Sequence, residues 1–380
     1  MDLYMKLNKT LLATITATVF LHGCSNVEVA PLGTELVIPG EEKVIKDISD
    51  LLTNKLDEQY KGEKFLRDTH PKANACLHGT FKVQSDIAPE FQHGVFQPGA
   101  EHPVWMRLSN AVEEVTSDYA KDFRGLAMKL TKVDGDRVSM SERPYGPNYE
   151  RVLLPHGDEK HTQDFLFLGH DAFFAAGPDD FFDFFSSSFL SFALTHPRGV
   201  YNIIKGEARR VNPLNISWNS VTGYALGGKN EKGVYQNVVR YALENCGTNY
   251  GDKPEKNNPD YMEQNIAKQL ESGTACLDFY IQRQVNAEDM PVENALVPWD
   301  QKESPFIKIA RIDIPSQTFT SEAQKEFCEN ISFNPWHSLE EHRPLGGINR
   351  ARRIVMKDIS DERLKANNVE RFEPTGEERF

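Results

Sequence analysis

Hydrophobic residues recur along this chain with two periods, one typical of helices and one typical of strands. An amphipathic first helix that ends near Gly62 is predicted by six apolar residues at helical spacing: Val44, Ile45, Ile48, Leu51, Leu52 and Leu56. Strict alternation over residues 104–110, VWMRLSN, predicts a strand with Arg107 and Ser109 as neighbours on one face. The pattern therefore indicates a mixed protein of the α+β class.

The same periods predict further elements. Strands are expected at residues 79–84, within 162–174 and at 306–314, where apolar and polar positions alternate or form short runs. Near the end of the chain, Gly346 and Gly347 interrupt the pattern, and Asn349 is then predicted to cap a helix running through residues 351–368.

This last helix carries a cation at the head of an apolar stripe. Arg352, Met356 and Ile359 follow one another at i, i+4 and i+7 on one face. An arginine in such a stripe needs an anion. Two interpretations stay open: Arg352 reaches out to a surface carboxylate while Met356 fills space in the core, or the two residues face a bound group.

The first residues predict export and lipid attachment. Lys6 and Lys9 precede the apolar run LLATITATVFL, which leads to Gly23 and Cys24. The short run and the small residue before the cysteine are typical of a lipoprotein signal peptide over residues 1–23, with lipidation at Cys24. An uncleaved membrane anchor is the alternative. We expect the protein in the bacterial cell envelope, on the periplasmic side or at the outer membrane, with a lipid anchor in the membrane.

The rest of the chain is predicted to form a tether and one large domain. Residues 24–40 have no helical period and contain turn formers, namely Pro31, Gly33, Pro39 and Gly40. Residues 41–380 then form the domain. The net charge of -13 makes nucleic acid or an anionic membrane a poor partner for the chain as a whole. Four cysteines follow Cys24, and three disulfide pairings are possible among them: Cys76, Cys246, Cys276 and Cys328.

His70 is the first candidate for chemistry. It lies in RDTHPKANACLHGTFKV, three residues after Arg67, and a structural role for it, or a role for His78 instead, is the plain alternative. The segment resembles that of haem catalases in which Arg, two residues, the distal His, one residue and Lys precede a G-x-F strand. The matching residues are Arg67, His70, Lys72, Gly79 and Phe81.

Two later stretches carry the same resemblance. Catalases have an R-F-S strand followed by an ADxxRDxRGFAxK segment, and here Arg107 and Ser109 are followed by matches at Asp118, Asp122, Arg124, Gly125, Ala127 and Lys129. Their FNP-type segment leads to an Arg and, one turn later, to the Tyr that binds haem iron. Here Phe333, Asn334, Pro335 and Arg352 fit, whereas Met356 stands where the Tyr is expected.

The resemblance implies a catalase-like antiparallel β-barrel with surrounding helices and a b-type haem. His70 would be the catalytic base, Ser109 would orient it, and Gln163 would take the place of the distal Asn, although a surface role for Gln163 is equally open. The cofactor's propionates would be held by three cations: Arg67, Arg107 and Arg352. Met356 would occupy the axial position. Only 24 residues follow Met356, which implies the short form without the C-terminal domain of larger catalases.

Two functions stay open at this point. The first is a haem protein that breaks down hydrogen peroxide or organic and lipid hydroperoxides. The second is a non-catalytic haem-binding or haem-free surface lipoprotein, because a thioether does not replace a phenolate. Eight phenylalanines between Phe173 and Phe192 suit an apolar cofactor pocket or lipid channel, or an ordinary helix packed on a sheet.

Overall fold

Nine antiparallel strands form one sheet in the computed structural model, which describes residues 29–138, 161–251 and 253–380. The strands are β1 (Ala73–Val83), β2 (Glu101–Asn110), β3 (Arg124–Leu130), β4 (Gln163–Leu168), β5 (Trp218–Asn219), β6 (Tyr224–Ala225), β7 (Val238–Asn245), β8 (Ala275–Arg283) and β9 (Ile307–Ile314). They pair in the order β5-β4-β3-β2-β1-β9-β8-β7-β6. A further pairing of β5 with β7 closes eight of them into a barrel. The predicted barrel is confirmed.

Seven α-helices accompany the barrel in the described ranges. They are α1 (Glu41–Gln59), α2 (Pro178–Ser186), α3 (Phe189–Thr195), α4 (Pro197–Gly206), α5 (Tyr261–Ser272), α6 (Glu322–Asn330) and α7 (Gly347–Ala366). The apolar stripe of α1 packs on α7, where Ile45, Ile48 and Leu52 share a core cluster with Ile354 and Val355. The predicted first helix is therefore confirmed. Within the described ranges, each helix is too short or too polar to cross a bilayer.

The alternation seen in β2 separates the inside of the barrel from a second buried layer. Val104, Met106 and Leu108 belong to the barrel core, together with Phe81, Phe165 and Phe279. The opposite face is also buried because α6 covers part of it: the Trp105 ring lies 4.9 Å from that of Phe327. Arg107 and Ser109 are each only 3% exposed, so this face does not simply point into water.

Two disulfides link separate segments of the chain, and one of them spans a large sequence separation. Cys76 of β1 is bonded to Cys328 of α6, across 252 residues, and Cys246 is bonded to Cys276. The first bond holds α6 against the outside of β1. This places Glu329, the residue after Cys328, beside the start of the barrel.

A buried charged cluster holds the segment that leads into α7. Asp164 of β4 accepts a hydrogen bond from the backbone N of Asn334 at 2.9 Å and contacts Nδ1 of His337 at 3.1 Å. Lys129 pairs with the same carboxylate at 2.8 Å and with Glu373 at 2.7 Å. The side chains of Lys129 and Asp164 are fully buried, so this cluster anchors the segment around Asn334 and His337 on the barrel.

Two local predictions need correction. Residues 29–40, the described part of the predicted tether, pack along the domain: Glu35 pairs with Arg350 at 2.8 Å, and Leu36 N donates to Glu293 at 2.8 Å. Asn349 does not cap α7, because the helix has already begun at Gly347 and Gly346 takes the cap position with a φ of 87°. The predicted signal peptide, residues 1–23, and the predicted lipidation site Cys24 lie outside the described residues.

Candidate functional site

His70 lies just before β1 in an uncommon backbone conformation. Its φ of 63° is in the left-handed region, which a side chain bearing a Cβ adopts at a cost in free energy. The backbone N donates to the Ala111 carbonyl at 3.4 Å, and Nδ1 lies 3.0 Å from Oγ of Ser109. The chain entering the barrel is therefore turned so that the imidazole meets Ser109 on β2.

Gly125 of β3 leaves the space that the imidazole fills. A Cβ at this position would lie 2.4 Å from Cε1 and 2.6 Å from Nδ1 of His70. Neither distance is tolerable for packed atoms, so any larger residue would displace the ring. Glycine is thus required here by the close approach of a neighbouring side chain.

The surroundings keep His70 neutral. Burial, followed by the positive charge of Arg107, lowers the pKa of His70 to about 4, and Arg67 and Arg352 act in the same direction. All three predicted cations thus lie close enough to His70 for their charge to affect it. His70 as a whole residue is nevertheless only partly buried. A neutral imidazole is suited to accept a proton.

The contacts of Ser109 accommodate a tautomer in which Nε2 of His70 is the basic nitrogen. The hydroxyl of Ser109 lies 3.5 Å from the Gly125 carbonyl oxygen, which can only accept. In the tautomer where Ser109 donates to this carbonyl, its Oγ accepts from Nδ1–H of His70, 3.0 Å away. Because a neutral imidazole carries one proton, Nε2 of His70 then holds the free lone pair.

A single carboxylate, Glu329 of α6, lies among three arginines. Arg107 Nη2 is 3.3 Å from Oε2 of Glu329, Arg67 Nε is 3.9 Å from the same oxygen, and Arg363 Nη1 is 3.7 Å from Oε1. Arg67 also donates to the carbonyls of Glu329 and Ile331, at 3.0 and 2.7 Å. We call these four side chains the Glu329 cluster.

The Glu329 cluster has more positive than negative charge. Burial, followed by repulsion from Arg67, lowers the pKa of Arg107 to about 10 and that of Arg363 to about 9. Both stay charged at neutral pH, so three cations face one anion. Nε of Arg107 and Nη2 of Arg363 are buried without a hydrogen-bond partner among the described residues. A further anion would satisfy both the charge and the donors.

On α7, Arg352 and Met356 share a face that is less buried than its neighbours. Both keep exposed surface, whereas Ala351, Ile354 and Val355 are buried. Nη1 of Arg352 donates to Thr222 Oγ1 at 3.3 Å and to Asn349 Oδ1 at 3.2 Å, without a carboxylate partner among these contacts. The guanidinium lies over the Phe173 ring, 5.6 Å from its centroid. The observed partners of Arg352 are neutral, which does not favour the surface carboxylate interpretation.

Tyr224 is the phenol whose pKa responds to Arg352, but it is not available as an anionic oxygen. It is fully buried in the barrel core, and burial raises its pKa although Arg352 acts in the opposite direction. Met356 lies one turn after Arg352 on α7 and is partly exposed. Among the described residues, no group of three or more His, Cys, Asp or Glu side chains is placed to hold a metal ion.

Solved catalase structures share this architecture. A fungal catalase matches with a TM-score of 0.61 and 17% identity, over 83% of this chain and 62% of its own. Catalase A from Saccharomyces cerevisiae gives 0.61 and 17%, over 82% and 64%, and a bacterial catalase gives 0.57 and 16%, over 82% and 60%. This chain has a catalase-like fold.

The similarity to these catalases covers part of their length and is seen in structure, not in sequence. The match covers less than two thirds of each of these catalases' own length. No protein-family model matches the sequence, and a comparison with curated proteins finds no match. At 16–17% identity the comparison shows a catalase-like fold and no more.

Within the catalase-like fold, Gln163 does not meet His70. In the pairing of β3 with β4, Gly125 lies opposite Leu168, while Gln163 lies opposite Leu130 at the other end. Five residues of strand correspond to about 17 Å. The Gln163 carboxamide is also engaged: Oε1 accepts from Leu339 N at 2.9 Å, and Nε2 donates to the Asp164 carbonyl at 3.1 Å.

Glu329 and Arg363 were not identified from the sequence. Arg363 follows Arg352 by eleven residues and Met356 by seven, which places it on the same helical face, so an extended stripe on α7 would have found it. Glu329 is one acidic residue in a polar helix of a chain with 56 of them, and nothing in its spacing distinguishes it.

Proposed function

We propose that this catalase-like domain binds a b-type haem and breaks down hydrogen peroxide or organic hydroperoxides. The observation that carries the proposal is His70: a neutral imidazole, held by Ser109, within electrostatic reach of three arginines. General acid–base chemistry on a peroxide needs such a group, because a proton must pass from one peroxide oxygen to the other.

The residues around His70 fit a flat cofactor with two carboxylates. Arg107 and Arg363 have unused buried donors, and the Glu329 cluster has surplus positive charge, so both favour an anionic edge. Arg352 and Met356 offer a partly open face on α7. Bound haem would supply a redox-active iron, with Met356 as its protein donor.

His70 has a defined task in this proposal. Nδ1–H is held by Ser109, so the lone pair of Nε2 accepts the proton of one peroxide oxygen and returns it to the other. Burial, with the charges of Arg107 and Arg67, keeps the imidazole neutral before it accepts this proton and favours the return of the proton, because a further positive charge beside the two arginines is unfavourable. Gln163 takes no part in the step, because its carboxamide is held elsewhere.

A second function is favoured by the proximal residues. Met356 provides a neutral, soft thioether, which favours reduced iron over high oxidation states. Glu329 already satisfies part of the positive charge that carboxylates would need. A non-catalytic haem-binding lipoprotein, or a haem-free one, is therefore the competing proposal.

Turnover with two substrates tests these proposals. The protein is supplied with haem and assayed for oxygen release from hydrogen peroxide and for loss of the hydroperoxide group of linoleate hydroperoxide. We expect His70→Gln to lower kcat/KM by about 10²- to 10⁴-fold. His78→Gln, a change in another partly buried histidine, is the matched control and should keep the activity. Equal activities of wild type and His70→Gln would contradict the proposal.

Attachment to the cell envelope through a lipid at Cys24 also remains a proposal. The two disulfides support an oxidising compartment outside the cytoplasm. Growth of the expressing bacterium with a labelled fatty acid should label the wild-type protein and leave Cys24→Ser unlabelled. Equal labelling of both proteins would contradict lipidation at this residue.

A further inference from the structure

The surface formed by α3 and α4 has an unusual composition. Leu190 and Leu194 of α3 are 71% and 77% exposed, and Tyr201 and Ile204 of α4 are 52% and 53% exposed. Arg198 and Lys205 are exposed on the same stretch. We call these six residues the α3–α4 patch. Large apolar side chains that are this exposed on adjacent helices mark an interaction surface.

The outward orientation of these residues is fixed from the inside. Gly199, Asn202, Ile203 and Gly206 form the buried face of α4 at helical spacing. Nδ2 of Asn202 donates to the carbonyl oxygens of Phe173 and Leu296, at 2.7 and 3.1 Å. A Cβ on Gly199 would lie 2.3 Å from the Phe174 carbonyl oxygen, so α4 is closely seated. The helix therefore cannot turn its apolar outer face inwards without losing these contacts.

The same outer face is positively charged in an acidic protein. The guanidinium of Arg198 and the ammonium of Lys205 lie 5.7 and 5.6 Å from the centroid of the Tyr201 ring. No acidic residue occurs between Asp183 and Glu207, although the chain has 56 Asp and Glu residues in 380. An aromatic ring flanked by cations, with leucine and isoleucine beside it, is the composition of helices that lie at a lipid surface.

We propose that the α3–α4 patch docks on the surface of an anionic lipid bilayer. Leu190, Leu194 and Ile204 enter the boundary between headgroups and acyl chains, while Arg198 and Lys205 pair with lipid phosphates. Charge complementarity favours an anionic lipid surface as the partner. The patch is positively charged although the chain as a whole is negative, and its two cations lie beside exposed leucines.

A row of aromatic rings joins the patch to the candidate site. The ring centroids of Phe192 on α3 and Phe184 are 5.2 Å apart. The Phe184 ring is 4.4 Å from that of Phe174, and the Phe174 ring is 4.3 Å from that of Phe173. The guanidinium of Arg352 lies over Phe173. If the proposed peroxide chemistry holds, the patch would bring this apolar flank of the site to a membrane that contains lipid hydroperoxides. Docking itself does not depend on that chemistry.

Tyr201→Trp gives a direct reporter of docking. The four natural tryptophans are 5% exposed or less, so vesicles should not change their emission: Trp105, Trp218, Trp299 and Trp336. The full chain is prepared with Cys24→Ala, so that no lipid can be attached there. We expect the emission of the introduced indole to move to shorter wavelength with phosphatidylglycerol vesicles, less so with phosphatidylcholine vesicles and less so at high salt. No shift with phosphatidylglycerol would overturn the proposal.

Variants of the patch then test which of its residues bind the vesicles. In the protein that carries the tryptophan reporter, the double variant Leu190→Asp, Leu194→Asp should bind vesicles more weakly, by at least about tenfold for each leucine replaced. Arg198→Gln and Lys205→Gln should each weaken vesicle affinity by about fivefold. Val285→Asp makes the same chemical change at another exposed apolar residue and should leave affinity unchanged. An emission shift that these variants leave intact would overturn the proposal.

Self-association is the competing use of such a surface. Sedimentation velocity without lipid distinguishes it, because a patch that binds a second copy gives a dimer that the leucine variants dissociate. A monomer that binds vesicles supports lipid docking. A dimer broken by the leucine variants would instead assign the patch to contacts between copies. Since neither measurement uses haem or peroxide, their outcome is separate from that of the proposed function.

Discussion

Nδ1 of His70 lies 3.0 Å from Oγ of Ser109, and this pair joins the entry segment of the barrel to β2. Without the hydroxyl, the imidazole would lose the partner that fixes its orientation and its tautomer. We expect Ser109→Ala to lower kcat/KM for peroxide by about 10- to 100-fold, with little change in haem absorption. Ser109→Thr keeps a hydroxyl and should recover part of the loss. Full activity in Ser109→Ala would show that the pair is dispensable.

The pH dependence should reflect the unusual pKa of His70. Because burial and Arg107 lower this pKa to about 4, the imidazole stays neutral, and able to accept a proton, at every pH above that value. We expect kcat/KM to stay level from about pH 8 down to about pH 5 and to fall through the pKa near 4. A fall centred near the ordinary histidine value of about 6.5 would contradict this environment.

Removing a neighbouring cation gives a control for that profile. Arg107→Gln takes away the second largest cause of the low pKa of His70, so the acid limb should move to higher pH. The His70 proton resonance, assigned by its absence in His70→Gln, should titrate with the same shift. An unchanged resonance in Arg107→Gln would show that Arg107 does not act on His70.

Met356→Tyr should create catalase activity or increase it about tenfold or more. Arg352, one turn earlier on the same face of α7, would stabilise the phenolate by opposite charge, and an anionic oxygen stabilises oxidised iron better than a thioether does. The gain is measured as oxygen release from hydrogen peroxide. Met356→Phe has the same ring without the hydroxyl and should show no gain. No gain in Met356→Tyr would contradict the assignment of this face to the iron.

Glu329→Gln should destabilise the protein. Without the carboxylate, three largely buried arginines face one another, and breaking a buried ion pair costs about 3 to 5 kcal/mol. Glu326→Gln removes an exposed carboxylate from the same helix and should change the free energy of unfolding by less than about 0.5 kcal/mol. Urea unfolding measures both. Equal midpoints for the two variants would show that Glu329 does not balance the arginines.

Much of the fold follows from local patterns in the sequence. The alternation at 104–110 predicts β2 and its two faces, and the apolar stripe from Val44 to Leu56 predicts α1. Such patterns depend only on neighbouring residues, because side chains alternate along a strand and recur every 3.6 residues along a helix. Barrel closure depends on β5 pairing with β7, which the resemblance to catalases implies and periodicity does not.

The candidate site, like the fold, could be predicted from the sequence only in part. His70, Ser109, Arg67 and Arg107 occur in recognisable segments, and the structure brings them together. The resemblance gives Gln163 the place of the distal Asn, but the strand register decides its position, and its carboxamide binds the backbone N of Leu339 instead. Glu329 reaches the arginines because a disulfide across 252 residues holds its helix there, a relationship that no local pattern reveals.

Haem binding is the central claim, and absorption spectroscopy tests it most directly. Purified wild-type protein is titrated with haem, and the Soret band is followed to its end point. We expect one haem per chain and a weaker haem affinity in Arg107→Gln, because a cation at the anionic edge of the cofactor is lost. A well-folded wild-type protein without a saturable Soret band would contradict the account.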